Sequence, residues 1–210
     1  MDKICKRCVM DTTVPGIKFD ASGYCNYCEY HIINEKEYPL GEKGLERIRK
    51  EIIKIKEKGK GKPYDCIVGV SGGVDSSYTL YLAKKLGLRV LAMHVDNGWN
   101  SEFAVKNIEL LTNSLDIDLE TVVLDWEEFR ELQLCFLKAS VPDLEIPTDW
   151  AIHSNLHKIA SKYSVNYVLH GHSFRTEGSA PLYWTYMDGL YINSVYKKFS
   201  GKSLKHYYSM

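Results

Sequence analysis

The sequence predicts an α/β protein, a doubly wound parallel sheet preceded by a small cysteine-rich module. Three observations carry this expectation. After Pro63, short apolar runs of strand length alternate with longer runs of helical periodicity, the βαβ rhythm of a parallel sheet. A glycine-rich turn, Ser71-Gly72-Gly73-Val74-Asp75-Ser76-Ser77, joins the first such strand to the first such helix. Near the N-terminus, Cys5, Cys8, Cys25 and Cys28 form two C-x2-C pairs.

The elements follow in order. Residues 1–40 hold the two cysteine pairs, and Gly23 suits a knuckle turn just before the second pair. Residues 44–58 place Leu45, Ile48, Ile52 and Ile55 at helical spacing, followed by the linker Gly59-Lys60-Gly61-Lys62-Pro63. Strand one is expected over 65–70 and its helix over 76–86. Strand two is 89–95 and helix two about 101–115. Strand three is 119–124, followed by helices over about 126–139 and 149–163. Strand four is 166–169. The domain expectation is therefore a cysteine module over 1–40, a basic amphipathic helix and linker over 41–63, and the α/β domain over 64–210.

Composition narrows the function classes. With 45% hydrophobic and 26% charged residues, the chain is not globally disordered. Its formal net charge of zero gives no whole-molecule attraction to nucleic acid or to an anionic membrane. The N-terminus has no apolar signal segment, and no apolar run approaches the ~20 residues that span a bilayer. The protein reads as cytoplasmic, a setting in which cysteines serve as metal ligands or free thiols rather than disulfides. Between Lys43 and Lys62 there are nine Lys/Arg and three Glu. A solvated helix face and linker is preferred there to an RNA contact.

The cysteine pattern C-x2-C-x16-C-x2-C lies within the spacing of zinc sites. Four thiolates close a tetrahedral site with no open position, so the expected role is structural. An iron–sulfur cluster or a redox pair are the alternatives, and redox C-x-x-C motifs sit in a βαβ context that is absent here. Binding in comparable peptides is worth roughly 10–16 kcal/mol, enough for the metal to decide whether a short polar segment folds. Cys66, inside strand one, and Cys135, inside a helix, read as buried small hydrophobes. His153 and His157 share a helix face at i, i+4, but no third ligand accompanies them, so they read as a satisfied or surface pair.

The turn at 71–77 is an anion cradle by its chemistry. Gly72 and Gly73 let the backbone approach a phosphate, and the first turn of the following helix offers unpaired N–H groups and its positive dipole end. Ser71, Ser76 and Ser77 add hydroxyl donors. Asp75 repels phosphate unless a cation lies between, which makes it a candidate Mg²⁺ ligand. The loop is not a Walker A loop, having no G-x-x-x-x-G-K-[ST]. In a doubly wound sheet the ligand sits beyond the carboxyl ends of the strands. That edge gathers two further motifs. His94-Val95-Asp96-Asn97-Gly98-Trp99 ends strand two, where backbone at Val95 is available to a base. His170 to Gly178 ends strand four, where Gly171 permits close approach. Asp96 and Glu177 are candidate ligands for a second cation or for polar substrate groups.

SGGVDSS after a strand resembles the signature of the PP-loop ATP pyrophosphatases, whose fold is that of the adenine nucleotide α-hydrolases. The resemblance implies cleavage of ATP between its α- and β-phosphates. The wider combination is narrower in meaning: CKRCVMDTTVPGIKFDASGYCNYC, IVGVSGGVDSS, HVDNGW, EIPTDWAIHS, LHGHSFRTEG and YINSVYKKF. It resembles the bacterial N-acetyl sugar amidotransferases of surface-polysaccharide (lipopolysaccharide, O-antigen) biosynthesis, from residue 3 to about 199. That family is understood to convert an acetamido group on a sugar to an acetamidino group.

The resemblance implies ATP, Mg²⁺ and a zinc ribbon. It also implies ammonia supplied by a glutaminase subunit and an ammonia-delivering synthase-like subunit. A glutaminase needs its own Cys nucleophile and His base, and no such pair is evident here. By the same resemblance Ser71, Asp75 and Ser77 are the catalytic positions. Ser71, Gly72, Gly73, Asp75, Ser76, Ser77, Val95, Asp96, Gly171 and Glu177 hold the nucleotide, with Asp75 and Glu177 on magnesium. Arg175, Lys197 and Lys198, together with Lys202 and Lys205, are candidates for the diphosphate of a nucleotide-linked sugar, with an exposed, partly ordered basic tail as the equal alternative. Family members are considerably longer, so their C-terminal part is expected to be missing from these 210 residues. The rival readings are a PP-loop tRNA-thiolating enzyme and a non-catalytic nucleotide-binding scaffold. Against the first stand the zero net charge and the lack of a C-x-x-C sulfur carrier beyond the ribbon.

Overall fold

The computed structural model describes residues 3–177, 180–181 and 184–204. It divides into two compact units. The first comprises Met1–Arg49 and His172–Tyr186, the second Lys50–Gly171 and Met187–Met210. Lys205, one of the basic residues considered above, lies outside the described residues, as does Gly178.

In the first unit, two short knuckles carry the cysteines. The first is closed by an antiparallel bridge between Ile4 and Asp11, the second by one between Phe19 and Cys25. Gly23 has φ +89°, the left-handed turn that knuckle needs. Helix α1, Asn26–Glu37, starts directly after Cys25 and carries Cys28 in its first turn. Helix α7, Phe174–Glu177, also belongs to this unit.

In the second unit, β1 (Cys66–Gly69), β2 (Val90–Asp96), β3 (Asp118–Val123) and β4 (Val168–Leu169) form one parallel sheet in the order β3-β2-β1-β4. The connecting helices are α3 (Val74–Lys85), α4 (Glu102–Leu115), α5 (Trp126–Ala139) and α6 (Ile146–Lys162). Alternation along the strands divides the core. Cys66, Val68, Val70, Val90 and Ala92 face one side, with Leu80 and Ala83 of α3 and Ile108 of α4. Ile67, Leu91, Met93 and Val95 face the other, with Ala151, Leu156 and Ile159 of α6. Both faces are covered, which is why the strands read as continuous apolar runs. A third cluster joins Leu132, Cys135 and Phe136 of α5 to Ile192, Val195 and Tyr196 of α8, Gly189–Ser200.

The expected doubly wound sheet is present, with local corrections. Helix α3 starts at Val74, two residues earlier than expected, with Gly73 at its N-cap. Helix α6 starts at Ile146 rather than about 149, since Pro147 sits in the first turn, where its missing N–H costs nothing. Strand β4 pairs only at Val168 and Leu169. In α2, Glu42–Lys58, only the end of the apolar stripe packs: Ile55 is buried and Ile52 joins the cluster, while Leu45 and Ile48 are exposed.

One buried charge fixes the start of β1. Asp65 is 4% exposed and accepts the backbone N–H of Arg89 at 2.8 Å, while its carboxylate pairs with the Arg89 guanidinium. Burial pushes the Asp65 carboxyl up, but the hydrogen bonds and charge of Arg89 outweigh it and hold the group below the usual range. Gly59 makes room, because a Cβ there would lie 2.0 Å from Asp65 Oδ1.

Candidate functional site

The sheet order places a crevice at a definite point. From β1 the chain builds outward through β2 to β3, then returns to the opposite side of β1 as β4. The switch point lies between the carboxyl ends of β1 and β4, where open α/β sheets take their ligands. The 71–77 turn leaves β1 there, and His170-Gly171 leaves β4 there.

The two segments meet closely. A Cβ on Gly171 would lie 2.9 Å from Ser76 N and 3.0 Å from the Asp75 carbonyl carbon. Gly171 is therefore required for backbone-to-backbone approach between the end of β4 and the first turn of α3. Gly72 has φ +78°, and a Cβ there would meet the Ala104 backbone at 2.4–2.8 Å. Asn107 Nδ2 donates to the Gly72 carbonyl at 3.2 Å. Helix α4 thus buttresses the loop from behind. Neither Ala104 nor Asn107 carries any local sequence signal of this role.

Inside the turn, Ser76 Oγ accepts from Ser71 N at 3.2 Å and lies 3.1 Å from Ser71 Oγ. Gly73 N donates to Ser71 Oγ at 3.4 Å, and Ser77 N donates to the Gly73 carbonyl at 3.1 Å. No side chain caps α3, so Gly73 leaves the N–H groups of the first turn without a side-chain acceptor. Asp75 is exposed in that same turn. An uncapped helix start lined by two hydroxyls, with one carboxylate beside it, can hold a phosphate chain together with a cation.

Beneath the loop, His94 is 7% exposed, and its Nδ1 lies 3.0 Å from the Val70 carbonyl. The carbonyl can only accept, so the proton sits on Nδ1, and Nε2 is buried without a hydrogen-bond partner. His94 lies within the motif that ends β2, where no local sequence signal points to this buried contact. Val95 is buried on β2. Asp96 Oδ1 accepts from Gly98 N at 3.0 Å and from Asn100 Nδ2 at 3.2 Å, so this carboxylate shapes the loop after β2.

The remaining candidates are distributed as follows. Glu177 lies on α7 in the first unit, whereas Asp75 lies in the second. Its carboxylate accepts from Ser173 N at 3.3 Å and lies 3.1 Å from His172 Nδ1. Arg175 is engaged within the first unit, donating to the carbonyls of Glu35 and Tyr38 at 3.3 and 2.8 Å. Lys197 and Lys198 are exposed in the last turn of α8, and Lys202 pairs with Glu131 at 2.7 Å. His153 lies 5.2 Å from His170, ring to ring, and forms no metal cluster with His157 among the described residues. Cys66 and Cys135 are buried, and burial pushes both thiols up, Cys66 to about 12.

The four N-terminal cysteines do converge. Their Sγ atoms all lie within 4.8 Å of one another, with Cys5–Cys28 at 3.7 Å and Cys8–Cys25 at 3.5 Å. A tetrahedral zinc site with Zn–S of about 2.3 Å requires S–S separations of about 3.8 Å, so the arrangement fits such an ion. Backbone N–H groups of Arg7 and Cys25 point at Cys5 Sγ, at 3.5 and 3.3 Å. Burial pushes the Cys5 thiol up, but N–H donation overcomes this and brings it down to about 6. Burial and the neighbouring sulfurs push Cys28 up. The module is a four-cysteine cluster resembling a zinc ribbon.

Comparison with known proteins adds the following. The family described as Queuosine biosynthesis protein QueC matches residues 65–163. No curated protein matches. Among solved structures, the NH3-dependent NAD synthetase from Campylobacter jejuni is 17% identical, with 73% of this chain and 72% of that chain covered and a TM-score of 0.48. The glutamine-dependent NAD+ synthetase from Acinetobacter baumannii is 19% identical, with 63% and 27% covered and a TM-score of 0.49. The NMN synthetase from Francisella tularensis is 12% identical, with 77% and 88% covered and a TM-score of 0.43. Over residues 65–163, which carry the Ser-Gly-Gly loop at the switch point and β1 to β3, the chain is similar to the QueC family, and the N-terminal cysteine cluster lies outside the matched residues.

Proposed function

We propose that this chain is an ATP-dependent amidotransferase acting on an N-acetyl sugar, forming AMP and pyrophosphate. The observation that carries ATP use is the uncapped start of α3, held at the switch point by Gly72 and Gly171 with Asp75 in its first turn. The sugar is supported by the sequence resemblance, above all by EIPTDWAI and HSFRTEG joined to the cysteine module.

The chemistry is consistent. An amide oxygen is a very poor leaving group, and ammonia does not displace it. Attack of the acetamido oxygen on the α-phosphorus breaks the α–β bond, releases pyrophosphate and gives an O-adenylyl imidate. Ammonia then adds to the imidate carbon, a proton is lost, and AMP leaves with the oxygen. The first-turn N–H groups of α3 and the hydroxyls of Ser71, Ser76 and Ser77 hold the departing phosphates. Mg²⁺, when bound, would offset their charge, with Asp75 as a candidate ligand. No covalent enzyme intermediate is required. Lys197 and Lys198 are candidates for the acceptor's diphosphate. Zinc is the ion that best fits the four thiols, in a structural role. The ammonia would come from a glutaminase partner, and the site would work in the cytoplasm.

A second reading is favoured by the family match, which covers 65–163 and leaves the cysteine cluster outside it. It places the same adenylating chemistry on a queuosine precursor. The experiment supplies ATP, Mg²⁺ and an ammonium salt with a panel of nucleotide-linked N-acetyl sugars. AMP together with a sugar in which NH has replaced O, read by mass spectrometry, is the expected result. AMP formed only with a queuosine precursor supports the second reading, and AMP formed only with tRNA supports a thiolating enzyme. ATP binding without AMP under every condition points to a non-catalytic scaffold.

A further inference from the structure

We infer that the cysteine-bound metal acts at a distance on the motif that follows β4: it fixes helix α1, and α1 in turn holds the 172–177 segment through Glu35 and Arg175. Arg175 is on this view a positioning residue for Glu177 rather than a ligand of the substrate.

The chain of contacts lies wholly within the first unit. Arg7 sits between Cys5 and Cys8, and its backbone N–H points at Cys5 Sγ. Its guanidinium reaches Glu35 Oε2 at 3.4 Å. Glu35 stands on α1, whose first turn carries Cys28, and its Oε1 meets Arg175 Nη1 at 3.4 Å and His31 Nε2 at 3.6 Å. Glu35 therefore joins the first cysteine pair to α7 through one carboxylate. Arg175 also donates to the carbonyls of Glu35 and Tyr38 near the end of α1, where orphan carbonyls need donors.

Aromatic packing follows the same route. Phe174 lies edge-on to His31, with centroids 5.3 Å apart, and 6.1 Å from Tyr38, while Arg175 lies over the Phe174 ring at 5.0 Å. A helix of four residues has little stability of its own, so its geometry must come from these outside contacts. A second observation points the same way. Glu177 lines one cleft with Arg7, Cys8, Cys28 and His31, so the motif glutamate and two of the four cysteines border the same space.

Without the metal, the four sulfurs have no shared ion to draw them together, and α1 loses the anchor at its N-terminus. The segment then loses Glu35 and Tyr38 as partners. The coupling stands on the first unit's geometry. Its consequence for turnover rests on the proposed function of the motif that carries Glu177.

Hydrogen exchange on the full chain tests it, comparing metal-loaded, chelated, Arg175→Ala, Arg175→Lys and Glu35→Ala forms. The amides of Thr176 and Glu177, which bond to the Ser173 carbonyl, are the reporters, and those of β1 and β2 are the control. Chelation should speed the reporters at least about tenfold while the control amides keep their protection. In metal-loaded protein, Arg175→Ala and Glu35→Ala should do the same with the bound-metal stoichiometry intact, and Arg175→Lys should restore part of the protection. Reporters that stay slow in metal-loaded Arg175→Ala and Glu35→Ala overturn the proposal, and this arm decides even if chelation unfolds the whole chain. Reporters unchanged by chelation while residues 5–28 exchange freely overturn it as well. A rise in the sugar nucleotide KM of Arg175→Ala with slow reporters would return Arg175 to substrate binding. Exchange is read without ATP, so loss of AMP formation in every form bears on the proposed activity and not on the coupling.

Discussion

The cysteine unit and the sheet unit bury very different things. In the first, the buried cluster is Cys5, Cys25 and Cys28 themselves, with Cys8, Ile17, Phe19 and Tyr27 packed around them. In the second, two apolar layers fill the faces of the sheet, and Ile67, Val68, Leu80 and Ala92 are fully enclosed. One unit is therefore expected to draw its stability from a bound ion and the other from area removed from water. The contrast teaches that the same chain can fail in two independent ways. A metal-site lesion should spare the sheet, and a core lesion should spare the metal.

The largest expected effect is on the first unit. Cys25→Ser, or chelation, removes metal-binding free energy on the order of 10 kcal/mol and should unfold residues 3–37. Metal analysis and hydrogen exchange should show lost metal and an unprotected N-terminal segment beside a protected β1 and β2. A protected N-terminal segment in metal-free protein would break the comparison.

Next comes Leu156→Ala, which empties a buried position (1% exposed) between α6 and the sheet. Urea unfolding of the second unit should lose about 3 kcal/mol, with metal stoichiometry unchanged. Asp65→Ala should cost somewhat less, about 2 kcal/mol, by leaving the Arg89 N–H without its acceptor. It also carries a pH signature. The Asp65 carboxyl is held below its unfolded value, so its contribution is complete above that value and is lost as pH falls through the native one. The natural protein should therefore lose stability on acidification below about pH 4 more steeply than Asp65→Ala, as read by denaturant midpoints.

Asp75→Ala should do least to the fold. The side chain is exposed, and a change within about 0.5 kcal/mol is expected. It should nonetheless abolish ATP-to-AMP turnover. Retained AMP release would remove the aspartate from the proposed chemistry and leave the loop as a binding feature alone.

What the sequence disclosed follows a physical pattern. The 71–77 loop was legible because its chemistry is contiguous: strand, glycines, hydroxyls and helix start adjoin in the chain. The cysteine module was legible because each C-x2-C pair is a local turn. The strands lay within a residue or two of their places, apart from β4, whose pairing is shorter than its apolar run. Helix α2 is where its periodicity placed it, but four apolar residues at helical spacing do not say which of them a neighbour covers. Ala104, Asn107 and Glu35 gave no signal at all, because each acts on residues brought near only by folding.

By itself, then, the sequence determined the parallel α/β architecture, the glycine-rich turn between β1 and α3 and the pairing of the four cysteines in one module. Period-two and period-3.6 patterns and short-range turn chemistry are written within a few residues of one another. Only the tertiary structure decided that β4 returns beside β1 and brings Gly171 against Ser76, and that α1 grips the segment carrying Glu177. Those contacts join residues about a hundred positions apart, and they are chosen by how whole layers cover one another's apolar faces, which no local window of sequence contains.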